Sequence, residues 1–200
     1  TVAIVTGAGS GIGRAVAISL GARGDTVVCA DIDDVSAAAT SSAAGTSASS
    51  ARVDVTDASA CDDLVRQVVA DHRRLDALVT CAGIIRDGTM LSLDKETGQV
   101  SKKLDLAKWQ AVIDTNLTGT FLCMRDAAEA MVNGGWEGLL VPISSVNKVG
   151  QVGQLNYSSA KVADALMPKI IVGEFLMRGI RNIRCVAVAG NTTMAHLLLG

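Results

Sequence analysis

Apolar residues run unbroken from Val2 to Val5 and stop at Thr6, and four glycines follow at Gly7, Gly9, Gly11 and Gly13. A run this short, bounded by glycine, reads as a strand buried on both faces. The period then changes. Ile12, Ala15, Val16 and Leu20 recur at helical spacing, predicting a helix over Ile12–Arg23. The same alternation continues along the chain. Strands are predicted at Thr26–Ala30, Ala51–Val55, Leu75–Thr80, Gly138–Ile143 and Ile183–Val188. Between them, Asp33 or Asp34 caps a short helix through Ala39. Asp57 caps a helix to about His72, and longer helices cover Leu106–Met131 and Leu155–Met177. The Ser/Ala-rich stretch after Ala39 reads as a surface loop, and polar Arg86–Lys103, with "DKETGQ", as a turn-like insertion. Six strand–helix alternations predict an α/β fold, a doubly wound parallel sheet of the Rossmann type in three α/β/α layers. No linker or repeat divides it, so residues 1–200 are expected to form a single dinucleotide-binding domain.

Composition narrows the partners. Net charge is −2 and aromatics are 2% of 200 residues, so neither a basic patch nor a base-stacking platform for nucleic acid is expected. No apolar run reaches the roughly 18 residues of a membrane span, and no signal peptide is seen, so no membrane partner and a cytoplasmic location are expected. Five scattered cysteines and two unpaired histidines, His72 and His196, suggest free thiols and no metal site.

The glycines lie between a strand and a helix, where backbone N–H groups and the helix dipole favour an anion. Glycine also serves as a plain structural turn. The G-x-G-x-x-G spacing fails in every register; what fits is Thr6-Gly7-x-x-x-Gly11-x-Gly13, and no Gly-Lys-Ser/Thr ending marks a triphosphate loop. Asp31 stands 18 residues past Gly13 at the end of the second strand, placed either to accept ribose hydroxyls or to cap a helix. With no adjacent basic residue, and Ser10 in the loop, NAD is expected over NADP. Tyr157, the only tyrosine, precedes Lys161 by four residues, which puts both on one helix face. A phenol titrates near pH ~10, and a neighbouring ammonium favours its phenolate. Such a pair suits general acid/base work.

In order along the chain stand "TGAGSGIG", "DVTD", "TCAG", "NLTG", "ISS" and "YSSAK". Together they resemble the short-chain dehydrogenases/reductases, most closely the 3-oxoacyl-carrier-protein reductase-like branch, over about Val2–Ala189. The resemblance implies hydride transfer between NAD and a secondary alcohol or ketone, such as a 3-hydroxyacyl thioester or hydroxysteroid. It makes Tyr157 the acid/base, gives Lys161 the nicotinamide ribose as well, and assigns Asn116 to a proton relay. Gly7, Gly9, Ser10, Gly11, Ile12, Gly13, Asp31, Ile32, Asp54, Val55, Ala82 and Gly83 would line the cofactor. Asn116 also reads as an amide bracing the strand that carries Thr80. Two serines compete to bind the substrate oxygen. Ser144 has the family's usual 13-residue separation from Tyr157, and Ser145 holds the usual place at the strand end. A strand end is the more rigid anchor, which favours Ser145. A homo-oligomer, tetramer or dimer, pairing through the two long helices is also implied.

Three features depart from that pattern. Pro142 falls inside a predicted central strand and Pro168 inside the helix of Tyr157 and Lys161, so local distortion is expected. After Val188 the usual Pro-Gly is absent, leaving Gly190, Thr192 or Thr193 as stand-ins, and the C-terminal strand and substrate lid have no counterpart. The alternative function is a dinucleotide-binding sensor or scaffold with little turnover, which needs the glycine turn and Asp31 but no acid/base.

Overall fold

The computed structural model describes residues 1–189. Nine strands and six helices follow in the order β1 (Val2–Thr6), α1 (Gly11–Ala22), β2 (Thr26–Asp31), α2 (Asp34–Ala44), β3 (Ala48–Arg52), α3 (Ala58–His72), β4 (Ala77–Thr80), β5 (Leu91–Leu93), β6 (Val100–Lys103), α4 (Leu106–Ile113), α5 (Gly119–Gly134), β7 (Gly138–Ser144), α6 (Leu155–Met177), β8 (Ile183–Cys185) and β9 (Val188–Ala189). A parallel sheet runs β3-β2-β1-β4-β7-β8, with β9 extending the ladder on β7. Strand order reverses direction between β1 and β4, which opens a crevice at their C-terminal ends.

The core lies in two layers. On one face Ile4, Leu78 and Leu140 pack against Leu64 and Val68 of α3 and Met124 and Met131 of α5. On the other, Val5, Val27 and Val79 pack against Ala17 of α1. Each fully buried aliphatic side chain contributes about 1.5–3 kcal/mol. Helix α3 starts where the sequence predicts, with the Asp57 carboxylate accepting from the amides of Ser59 and Ala60. Asp33, rather than Asp31, caps α2 by accepting from Val35 and Ser36.

Five expectations are corrected. Helix α2 continues to Ala44, because Ala37, Thr40 and Ala44 fall at helical spacing and are buried, while Thr40, Ser41 and Ser42 turn their hydroxyls back onto the carbonyls of Ser36 and Ala38. The expected loop thereby shrinks to a turn at Gly45, whose φ is 109°. Strand β3 accordingly sits three residues earlier than predicted, pairing Val27 with Ala48 and Asp31 with Arg52. Its Ala/Ser composition suits an exposed edge, so hydropathy gave no signal.

The polar insertion is a two-stranded hairpin, β5 on β6, closed by Asp94 accepting from Glu96 and Thr97. The helix expected over Leu106–Met131 is interrupted by a π-helical turn at Asp114–Thr118. The last predicted strand is split into β8 and β9.

That split falls beside Pro142. The Leu140 carbonyl accepts from Val186, and alternation turns Pro142 toward the same neighbour, where it has no N–H to donate. Helix α6 has the predicted bounds and runs through Pro168, which leaves the Asp164 carbonyl without its usual i+4 donor. No helix among the described residues is long and apolar enough to cross a membrane.

Candidate active site

The turn after β1 is closed to side chains at Gly7 and Gly13. A Cβ on Gly7 would lie 2.6 Å from the Ala82 nitrogen, and its φ is +63°. A Cβ on Gly13 would collide with the Gly7 carbonyl oxygen. In front of Gly11, by contrast, space is open. Helices α2, α3 and α4 each begin at an aspartate that accepts from first-turn amides. Helix α1 begins at Ser10, whose side chain makes no such bond. Its leading amides face a cleft of about 400 Å³ lined by Gly7, Ser10, Ile12, Asp31, Asp54 and Ala82, with Gly11, Gly13, Ile32, Val55 and Gly83 also on its wall. Uncapped amides at a helix start, with no Cβ in the way, suit a diphosphate. The residues present therefore fit a dinucleotide.

Asp31 is held at both oxygens. Gly9 N–H donates to Oδ2 at 2.8 Å and Asp33 N–H to Oδ1 at 3.0 Å. The shifted β3 also brings a basic group that the sequence reading missed. Arg52 is the register partner of Asp31, and its Nε donates to the Ile32 carbonyl at 3.3 Å. Asp54 accepts from Thr56 at the rim, and Val55 is buried against Gly119.

A second cleft of about 410 Å³ opens beyond the first and shares Ile12, Cys81 and Gly83 with it. Its wall carries Ser144, Ser145, Tyr157 and Lys161. The two serines differ. Ser144 is buried and donates its hydroxyl to the Lys161 carbonyl, joining the end of β7 to α6. Ser145 Oγ accepts from Asn147 N–H at 3.1 Å, which leaves its own proton available. Tyr157 sits in the first turn of α6, with Lys161 Nζ 5.9 Å from its ring centre.

Asn156, which the sequence reading did not single out, fixes that turn. Its Oδ1 accepts from Tyr157 N–H at 2.8 Å and its Nδ2 donates to the Arg86 carbonyl at 3.0 Å. The Lys161 ammonium donates to the Ile143 carbonyl at 2.7 Å and to Asp164 Oδ2 at 2.8 Å. Burial raises the Asp164 carboxyl above the ordinary range, partly opposed by the lysine charge. Burial likewise pushes the Cys81 thiol up to about 12, against the pull of Lys161.

Asn116 lies on the π-helical turn and is buried. Its Oδ1 accepts from Ile84 N–H at 2.8 Å, and its Nδ2 donates to the Ile84 carbonyl at 3.0 Å. The amide thus braces the segment after β4, and it is absent from the walls of both clefts. Gly190, Thr192, Thr193 and His196 lie outside the described residues.

The family described as short chain dehydrogenase matches residues 1–198. The chain is 38% identical to (3R)-3-hydroxyacyl-CoA dehydrogenase of Rattus norvegicus over 191 residues, spanning 90% of this chain and 70% of that protein. It is 36% identical to 3-oxoacyl-[acyl-carrier-protein] reductase of Synechocystis sp. over 184 residues, with the same two shares, 90% and 70%. Among solved structures, ribose-5-phosphate isomerase from Brucella melitensis 16M superposes with a TM-score of 0.78 at 30% identity, covering 94% of this chain and 67% of that one.

Proposed function

This chain belongs to the short-chain dehydrogenase/reductase family, an oxidoreductase family acting on CH–OH groups, and from that premise we propose an NAD-dependent enzyme that interconverts a 3-hydroxyacyl thioester, or a similar secondary alcohol, with its ketone. The observation that carries this reading is the continuity of two clefts through Ile12, Cys81 and Gly83. One has the uncapped helix start and Asp31; the other has Ser145, Tyr157 and Lys161. A sensor would need only the first.

The dinucleotide, when bound, accepts or supplies the hydride. The chain's own residues handle the proton. In the oxidative direction Tyr157 Oη takes the proton of the substrate hydroxyl, with the Lys161 ammonium 5.9 Å from its ring centre. Ser145 donates to the substrate oxygen with the proton its Asn147 contact leaves available. Ser144, already committed to the Lys161 carbonyl, holds helix to strand. The fixed negative charge of Asp31 repels a 2′-phosphate and accepts ribose hydroxyls, which favours NAD; of the neighbouring Arg52, the Nε alone is given to the Ile32 carbonyl. The thioester class is supported by the likeness to a 3-hydroxyacyl-CoA dehydrogenase and a 3-oxoacyl-carrier-protein reductase. Assembly as a homo-oligomer is supported by the apolar groove between α5 and α6, about 460 Å³, where Phe121, Met167, Ile170 and Phe175 meet.

Tyr157→Phe tests the reading. Turnover of a 3-hydroxyacyl thioester should fall by about 10²–10⁴-fold. NAD binding, followed by fluorescence of Trp109 and Trp136, should persist and exceed NADP binding. Wild-type turnover in Tyr157→Phe would overturn the acid/base assignment, and tighter NADP binding would overturn the role of Asp31.

A further inference from the structure

Beneath the reactive cleft lies an ion pair that the proposed chemistry does not call for. Lys161 Nζ stands 2.8 Å from Asp164 Oδ2, with side chains 7% and 0% exposed. Tyr157, Lys161 and Asp164 fall at i, i+4 and i+7, along one face of α6.

An ammonium has three donors. Asp164 takes one and the Ile143 carbonyl a second. A single donor is left for the Tyr157 phenol and a ribose together. The other Asp164 oxygen, Oδ1, is buried without a partner, as is Thr80 Oγ1 at the end of β4. Thr80 is the register partner of Pro142. Strand alternation therefore puts it on the face from which Ser144 reaches the backbone of α6.

Resting on the reading of Tyr157 as the acid/base, we infer that Asp164 is a positioning residue for the proton transfer. It pins Lys161 under the phenol and screens part of the ammonium charge that the phenolate would face.

The surrounding charges leave this role to Asp164. The groups facing the ammonium are Tyr157, Asp164 and the Cys81 thiol. On the other elements packed against α6, the titratable side chains are Lys108 of α4, Asp114 of the π-helical turn, Lys148 of the turn after β7, and Arg184 and Cys185 of β8. None of them pairs with Lys161 or Asp164, and Asp114 accepts from Gln110.

Because Tyr157 is the chain's only tyrosine, near-ultraviolet absorbance of its phenolate reads the effect directly and without turnover. In Asp164→Asn and Asp164→Leu, the absorbance transition and the acid limb of the oxidative kcat/KM profile should both move acidward by about one pH unit. Asparagine keeps the shape and one acceptor, so a purely structural role would be rescued by it. A wild-type profile in folded Asp164→Asn overturns the inference.

Asp164→Leu reads the same displacement where Asp164→Asn does not fold, and a wild-type profile in folded Asp164→Leu overturns the inference as well. Tyr157→Phe separates the two readings. If it retains turnover, the acid/base assignment fails; if it is inactive while Asp164→Asn is unmoved, only the role of Asp164 fails.

Discussion

The two clefts are made of different material. The dinucleotide side is shaped by backbone, with Gly7 and Gly13 admitting no Cβ and helix α1 left uncapped at Ser10. The reactive side is shaped by side chains from two elements, with Ser144 and Ser145 at the end of β7 and Tyr157, Lys161 and Asp164 on α6. Backbone sites are fixed by the fold itself and carry little charge that can be tuned. Side-chain sites can be tuned, but each member must be held by its neighbours, as Asn156 holds the Tyr157 turn and Asp164 the Lys161 ammonium. The first kind of site breaks by steric intrusion, the second by loss of a partner.

The largest loss of binding is expected on the backbone side. Gly13→Val places a branched side chain against the Gly7 carbonyl, and overpacking of this kind costs about 1–3 kcal/mol or more. Here it also closes the turn, so calorimetric NAD binding should be lost outright while residual structure persists by circular dichroism.

On the side-chain side, Lys161→Met leaves Asp164 a buried carboxylate without a counter-charge, a loss of about 3–5 kcal/mol. The folded-state carboxyl is raised above its unfolded value by burial. Stability tied to it is therefore greatest in acid and falls as pH rises through the folded value. Removing the lysine raises that value further. Urea unfolding should show the deficit of Lys161→Met to be larger at about pH 8 than at about pH 5, and an equal deficit at both would contradict the buried pair.

The smallest effect separates the adjacent serines. Ser145→Ala should lower kcat by about 10²-fold with the melting temperature nearly unchanged. Ser144→Ala should keep most turnover and cost about 1 kcal/mol, as the Lys161 carbonyl loses its donor.

Much of the backbone site was legible in the sequence, because glycine spacing is itself the signal. The bounds of α6 and the Asp57 cap were legible for a similar reason, resting on periodicity and capping chemistry local to the chain. What escaped is what only tertiary pairing decides. Strand β3 has an edge composition that carries no hydropathy signal, and misplacing it hid Arg52 from Asp31. The π-helical turn around Asn116 has the periodicity of an ordinary helix. Asp164 reads in sequence as one acid in an apolar helix, and only the depth of α6 shows that it faces inward. The signal for it was present as an acid three residues past the lysine, on the tyrosine's face.

Pro168 gives α6 two mechanically distinct halves. The turns before it are riveted to the sheet through Ser144, Ile143 and Lys161. The turns after it carry Ile170, Ile171 and Phe175 into the apolar groove beside α5. With the Asp164 carbonyl missing its amide, the ladder of α6 lacks one rung at the joint between them. A load placed on the outer half is therefore expected to bend the rod at the proline before it tilts the phenol.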